Sequence, residues 1–169
     1  MSKRIVMTGG SGALGTALTG LLRARGDEVV LIRRGSGPHD WNPSEGRLDP
    51  ALLEGADAVV NFNGIGLGDT RWTDERKKAL VSSRVEPTAL LAETMARMGT
   101  PPPVCVSASA VGIYGDTGDE IADESSPPGD DFLAQLCVHW EEAANPASEA
   151  GLRVVHPRTG ITLQPGEGA

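Results

Sequence analysis

Val6-Met7-Thr8-Gly9-Gly10-Ser11-Gly12-Ala13-Leu14-Gly15 is the stretch whose reading decides the fold. A run rich in β-branched residues, 4–8, leads into it, and Leu14, Ala17, Leu18, Leu21 and Leu22 follow at helical spacing. The order is strand, tight glycine turn, helix. Gly9, Gly12 and Gly15 stand three apart, and each has a physical task. The first permits the turn, the second lets backbone N–H groups approach a pyrophosphate, and the third lets the helix pack closely on the strand. Ser11, Ala13 and Leu14 supply the rest of that N–H lining. A bare glycine triplet also occurs in ordinary turns, but a strand before it and a helix after it favour a dinucleotide site.

Outward from this turn, a chain of 169 residues is one domain's worth and long enough for a core. A net charge of -8 argues against nucleic acid or an anionic membrane as the main partner, leaving a small-molecule substrate. Met1-Ser2-Lys3-Arg4 enters the first strand at once, so no signal peptide is expected, and no apolar run reaches membrane-spanning length. The expected compartment is the cytoplasm. Cys105 and Cys137 fall in apolar segments and read as buried thiols. His39, His139 and His156 lack metal-ligand spacing, so no metal site is assigned.

The first helix should end at Arg25-Gly26, with glycine in the left-handed position just past it. A second strand, residues 28–33, closes in Arg33-Arg34. Roughly twenty residues past the glycine turn, an Asp or Glu would bind the ribose hydroxyl of NAD. Two guanidinium groups suit the 2′-phosphate of NADP instead, because arginine grips phosphate oxygens as a fork; the alternative is that they face solvent. A short third strand is expected around Asp40-Trp41. Residues 56–61 form the next strand, which leaves through Phe62-Asn63-Gly64, a second glycine exit at the carboxyl end of a strand.

Thr73 should cap a long helix, which Pro87 should kink or break; Arg84 on it reads as a surface charge. Residues 104–111 form a strand that ends in small and hydroxyl residues, Ser107 and Ser109 among them. The loop 112–131 holds Tyr114 and seven acidic residues and reads as a solvated surface rather than a cation site. Phe132, Leu133, Leu136, Cys137 and Trp140 repeat at helical spacing, Pro146 interrupts or ends that helix, and residues 152–156 make the last strand. Six strands alternating with helices predict an α/β doubly wound parallel sheet, a Rossmann fold, in the order 3-2-1-4-5-6, with residues 1–169 as a single domain.

Five blocks carry a family resemblance: residues 8–15, 61–64, Arg71-Trp72-Thr73 with Ser83-Arg84-Val85, residues 107–115, and Arg158-Thr159-Gly160. Together they resemble the extended (atypical) short-chain dehydrogenase/reductases, and more narrowly the sugar-nucleotide epimerase-like group of the NAD-dependent epimerase/dehydratases. The resemblance covers the whole chain. It implies NADP(H) at the glycine turn, Arg33 and Arg34 on its phosphate, and Phe62, Asn63, Gly64, Ser107 and Arg158 along the site. Arg84 gains a second reading there, as a phosphate clamp.

Two departures stand out. The superfamily's Tyr-x-x-x-Lys pair should fall near residue 132, where the chain has Phe132-Leu133-Ala134-Gln135-Leu136-Cys137. The only tyrosine, Tyr114, has no cationic neighbour in sequence; it is either a proton donor beside Ser107 or Ser109, or structural. The family also continues beyond the Arg-Thr-Gly strand, so a fragment without the substrate lobe is expected. Two functions remain open: an NADP-dependent oxidoreductase or epimerase-like enzyme, and an NADP(H)-binding module or nucleotide-state sensor that has lost the Tyr/Lys machinery.

Overall fold

A computed structural model describes residues 1–35, 37, 39–68, 70–164 and 167–168. Strand β1 (Arg4–Thr8) enters the glycine turn, and α1 (Ala13–Ala24) leaves it. Gly26 stops α1 at φ +89°, while the N–H groups of Gly26 and Asp27 close back on the carbonyls of Arg23 and Leu22. Strands β2 (Glu28–Arg34), β3 (Asp40–Trp41) and β4 (Ala58–Asn61) follow, then the long helix α2 (Asp74–Arg97). Next come β5 (Val104–Ser107), β6 (Ser109–Ala110) and a 3-10 turn over Val111–Tyr114. Helices α3 (Phe132–Glu142) and α4 (Asn145–Glu149) lead to β7 (Arg153–Val155) and β8 (Arg158–Thr159). A small antiparallel pair, β9 (Leu163–Gln164) and β10 (Glu167–Gly168), comes last.

The main sheet is parallel throughout, in the order β3-β2-β1-β4-β5-β7. Counted along the sheet-forming strands this is the expected 3-2-1-4-5-6, including the short third strand. The last strand is the seventh in chain order because β6 leaves the sheet and pairs with β8 in a two-stranded ribbon. Side chains alternate across β1: Ile5 and Met7 face α1 with Leu22 and Val29, whereas Val6 faces α2 with Ile32, Leu91 and Met95. Each such fully buried aliphatic side chain contributes about 1.5–3 kcal/mol. A third cluster, Leu80, Ala108, Ile113, Leu136, Cys137 and Trp140, joins α2, the 3-10 turn and α3. Cys105 and Cys137 are free, buried thiols, and burial raises the Cys105 pKa to about 11.

Two expectations need correction. Helix α1 does not bury the whole Leu14, Ala17, Leu18, Leu21, Leu22 set: Leu14 and Leu21 are exposed, and the inward stripe is Gly15, Leu18, Thr19 and Leu22. The close approach at Gly15, where a Cβ would lie 2.4 Å from the Gly9 carbonyl oxygen, turns that side of the helix inward. Pro87, in turn, does not break α2, which runs on as one helix of 24 residues. Buried residues on both sides of it, Leu80 and Arg84 before, Leu91 and Met95 after, hold the helix in place, so packing overrides the missing N–H. No helix among the described residues is long and apolar enough to cross a membrane.

Candidate functional site

The glycine turn shows a division of labour. At φ +71°, Gly9 adopts a left-handed backbone, and a Cβ on it would lie 2.4 Å from the Phe62 carbonyl oxygen. Gly15 is closed by the turn itself. Gly12 differs: its nearest neighbour would be the Gly9 oxygen at 3.6 Å, so the protein leaves the space beside it open. Gly12 begins α1 with no side-chain cap and no acidic residue in the first turn. The N–H groups of Ala13, Leu14 and Gly15 thus face outward with the positive end of the helix dipole behind them, an arrangement that favours an anion.

A cleft of about 430 Å³ lies over this turn, lined among others by Gly9, Gly10, Ser11, Gly12, Arg33 and Arg34, and on its far wall by Phe62, Asn63 and Gly64. It sits outside the carboxyl ends of β1, β2 and β4, where the strand order reverses. Arg33 and Arg34 are exposed on its lip, and among the described residues neither meets a carboxylate. These residues fit a dinucleotide carrying an additional phosphate. A second cleft adjoins the first, sharing Arg34 and Asn63 and adding Asn42, Ser44 and Glu86.

Behind the cleft runs a buried polar ladder that the sequence reading missed. Thr8 and Asn61 are register partners, as are Asn61 and Ser107, so three strand ends place polar side chains in one row. Thr8 Oγ1 donates to Asn61 Oδ1 (3.0 Å), and Asn61 Nδ2 donates to Ser107 Oγ (3.0 Å) and Thr88 Oγ1 (2.7 Å). Asn63 Nδ2 meets both Asn61 Oδ1 and Thr8 Oγ1 at 2.6 Å. Ser107 is fully enclosed. It supports the cleft from within instead of facing it.

The ribbon of β6 and β8 builds a second assembly. Ser109 and Arg158 are register partners there, and Tyr114 closes the 3-10 turn four residues beyond β6. Arg158 grips Glu141 through Nε and Nη2, each at 2.9 Å, and donates from Nη1 to the Tyr114 phenol oxygen at 2.8 Å. Ser109 Oγ donates to Glu141 Oε1 at 2.6 Å. Burial pushes the Glu141 carboxyl up, but hydrogen bonds from Arg158 and Ser109 outweigh it and hold the group below its ordinary range. The same contacts, Glu141 first and then Tyr114, raise Arg158 further. The cation that Tyr114 lacks in sequence is therefore supplied in space, from 44 residues away. Glu141 was missed because α3 was read only for its apolar face. A carboxylate four residues after the buried Cys137 was the available signal.

Arg84 is buried instead of lying on the surface, and its guanidinium bonds the carbonyls of Leu80 and Ile65, both at 3.0 Å. The clamp expected on a phosphate thus holds backbone in this structure. Where the superfamily pair would stand, the start of α3 presents Phe132, whose ring meets Trp72 edge-on at 5.6 Å and carries Lys77 over it at 5.3 Å. Among the described residues no group of three His, Cys, Asp or Glu side chains could hold a metal, the acidic loop 116–131 included.

Comparison with known proteins agrees with this geometry. Residues 5–158 match the profile of the NAD dependent epimerase/dehydratase family. An epimerase family protein of Mycobacterium bovis is 42% identical over 168 residues, 97% of this chain and 55% of that protein. The human epimerase family protein SDR39U1, solved with NADPH, has a TM-score of 0.85 and 38% identity, covering 98% of this chain and 56% of that one. The nucleoside-diphosphate sugar epimerase of Corynebacterium glutamicum gives 0.84 and 41%, over 99% and 36%. The chain spans about half the length of the curated relatives it matches. With its glycine turn, parallel sheet and sequence profile in agreement, the chain belongs to the NAD dependent epimerase/dehydratase family.

Proposed function

We propose that this chain is the NADP(H)-binding part of an oxidoreductase or epimerase-like enzyme of the extended short-chain dehydrogenase type, with a nucleotide sugar as substrate. The carrying observation is the cleft over Gly12: an uncapped helix N-terminus at its floor and Arg33 and Arg34 on its lip, with no acidic residue closing β2. The sugar-nucleotide class is suggested by the Corynebacterium glutamicum neighbour.

The cofactor, when bound, supplies the hydride chemistry. In this chain the N–H groups of residues 13–15 hold the pyrophosphate and the two arginines the 2′-phosphate. Phe62, Asn63 and Gly64 wall the site. Tyr114 handles the substrate proton: its oxygen accepts from Arg158, which leaves the phenolic hydrogen free to be given, and Glu141 fixes the arginine. Ser109 braces Glu141. Phe62, on the cleft wall, and Tyr114 pack against the same apolar cluster.

The test is titration with NADPH and NADH, followed by nicotinamide fluorescence. NADPH should bind at least about tenfold more tightly, and Arg33→Ala with Arg34→Ala should remove most of that preference, since a charged hydrogen bond contributes about 1.5–3 kcal/mol. Equal loss for both nucleotides would count against the phosphate role. The second reading, a binding module, draws on Phe132, Leu133 and Cys137 at the start of α3, where no phenol or ammonium stands. Mixing NADP+-loaded protein with UDP-sugars separates the two. Absorbance growing at 340 nm, or conversion of the sugar read by chromatography for a redox-neutral epimerisation, supports the enzyme, while tight NADPH binding with neither supports the module.

A further inference from the structure

We infer that Arg84 is a positioning residue for the cofactor cleft, which it serves by holding the Gly64–Ile65 exit of β4 and not by touching phosphate. The inference rests on reading that cleft as the NADP(H) site. Beyond Phe62, whose N–H still bonds Thr8, the exit belongs to no strand. Side chains from α2 and its approach hold it instead, over three successive residues. The Ile65 N–H donates to Ser83 Oγ at 3.3 Å, and its carbonyl accepts from Arg84 Nη2 at 3.0 Å. The Gly66 carbonyl accepts from Arg76 Nη2 at 2.5 Å, and the Leu67 carbonyl from Trp72 Nε1 at 2.8 Å. Trp72, Ser83 and Arg84 belong to one of the sequence blocks for which the cofactor cleft alone gives no use.

Arg84 is the centre of this strap. Gly64, part of the cleft wall, sits at φ +153°, and a Cβ on it would lie 3.0 Å from the Arg84 guanidinium carbon. The guanidinium therefore backs directly onto the wall. It is 8% exposed, and among the described residues no carboxylate pairs with it. Burial accordingly lowers its pKa from the usual arginine value. The guanidinium also lies over the Trp140 ring, 5.3 Å from its centroid, and the Trp140 indole N–H bonds Thr88 at 3.1 Å. A buried cation without an acid is expensive in a fold that needs only a carbonyl partner there. Two features offset that cost. The planar fork reaches the Leu80 and Ile65 carbonyls together, tying helix to loop in one geometry, and the uncompensated charge favours an anion on the other side of Gly64.

The experiment compares NADPH affinity of the unmodified chain with that of Arg84→Met, Arg84→Lys, Ser83→Ala and Trp72→Phe, at low temperature, with circular dichroism verifying the fold. Arg84→Met should weaken NADPH by about tenfold or more with an unchanged spectrum, and Arg84→Lys should restore part of the loss. A merely structural arginine would lower the melting temperature and leave affinity alone, and that result overturns the inference. Should Arg84→Met fail to fold, Ser83→Ala and Trp72→Phe decide: each removes one tie to the exit and should weaken NADPH by about threefold. Unchanged affinity in both overturns it equally. Binding of neither NADPH nor NADH by the unmodified chain would end the cofactor reading, and this inference with it.

Discussion

Gly15 and Gly12 look alike in sequence and differ in what surrounds them. An added methyl at Gly15 would meet the Gly9 oxygen at 2.4 Å and the Gly10 Cα at 2.7 Å, both backbone atoms of the turn itself. The turn must open or the helix must move, either of which disturbs Gly9 at φ +71° and the Phe62 carbonyl beside it. Gly12 meets nothing nearer than 3.6 Å. Gly15→Ala should therefore cost about 2–4 kcal/mol in urea unfolding, whereas Gly12→Ala should stay within about 0.5 kcal/mol. The loss at Gly12 should fall on NADPH affinity instead. Equal stability in the two variants would show that the turn yields easily and that Gly15 is not the packing glycine.

At the scale of elements, the glycine turn, the caps at Thr73 and Gly26 and the parallel strands were legible because each rests on local chemistry. What was not legible depends on partners distant in sequence. Pro87 reads as a helix breaker until Leu80, Leu91 and Met95 are seen anchoring both sides of it. Arg84 reads as a surface charge until Gly64 and Trp140 enclose it. Glu141 was invisible because its partners arrive from β6 and β8, and they give it a pH signature. Its carboxyl is held below the ordinary range, so its contribution to stability is complete above the unfolded-state value near about 4.3 and is lost as pH falls through the folded one. Glu141→Gln should cost about 1–3 kcal/mol at pH 7, a gap that closes as pH falls below about 4. Urea midpoints at pH 7, 5, 4 and 3 check this; two curves that stay parallel would mean that ionisation of Glu141 contributes nothing to stability.

Over the whole molecule, the strand order makes the site. Placing β4 beside β1 on the side away from β2 opens a crevice at the carboxyl ends, and the same register lines up Thr8, Asn61 and Ser107 across three strands. Asn61 is fully buried and is the one side chain that bonds both other members of that row, reaching Thr88 on α2 as well. Thr88 in turn accepts from Trp140 on α3 and donates to the Arg84 carbonyl, so the ladder links the sheet centre to both helices. Asn61→Leu keeps the branching and the number of side-chain heavy atoms but removes the acceptor of the Thr8 hydroxyl and the donor to Ser107, each lost bond inside the core worth about 1–3 kcal/mol. The variant should lose roughly 3 kcal/mol or more in urea unfolding, with an unchanged m value, because the ladder lies inside one cooperative unit. A lower m value would instead mean that the β5–α3 side unfolds separately from the glycine-turn side. An unchanged midpoint would show that the hydroxyls find other partners and that the ladder contributes little to stability.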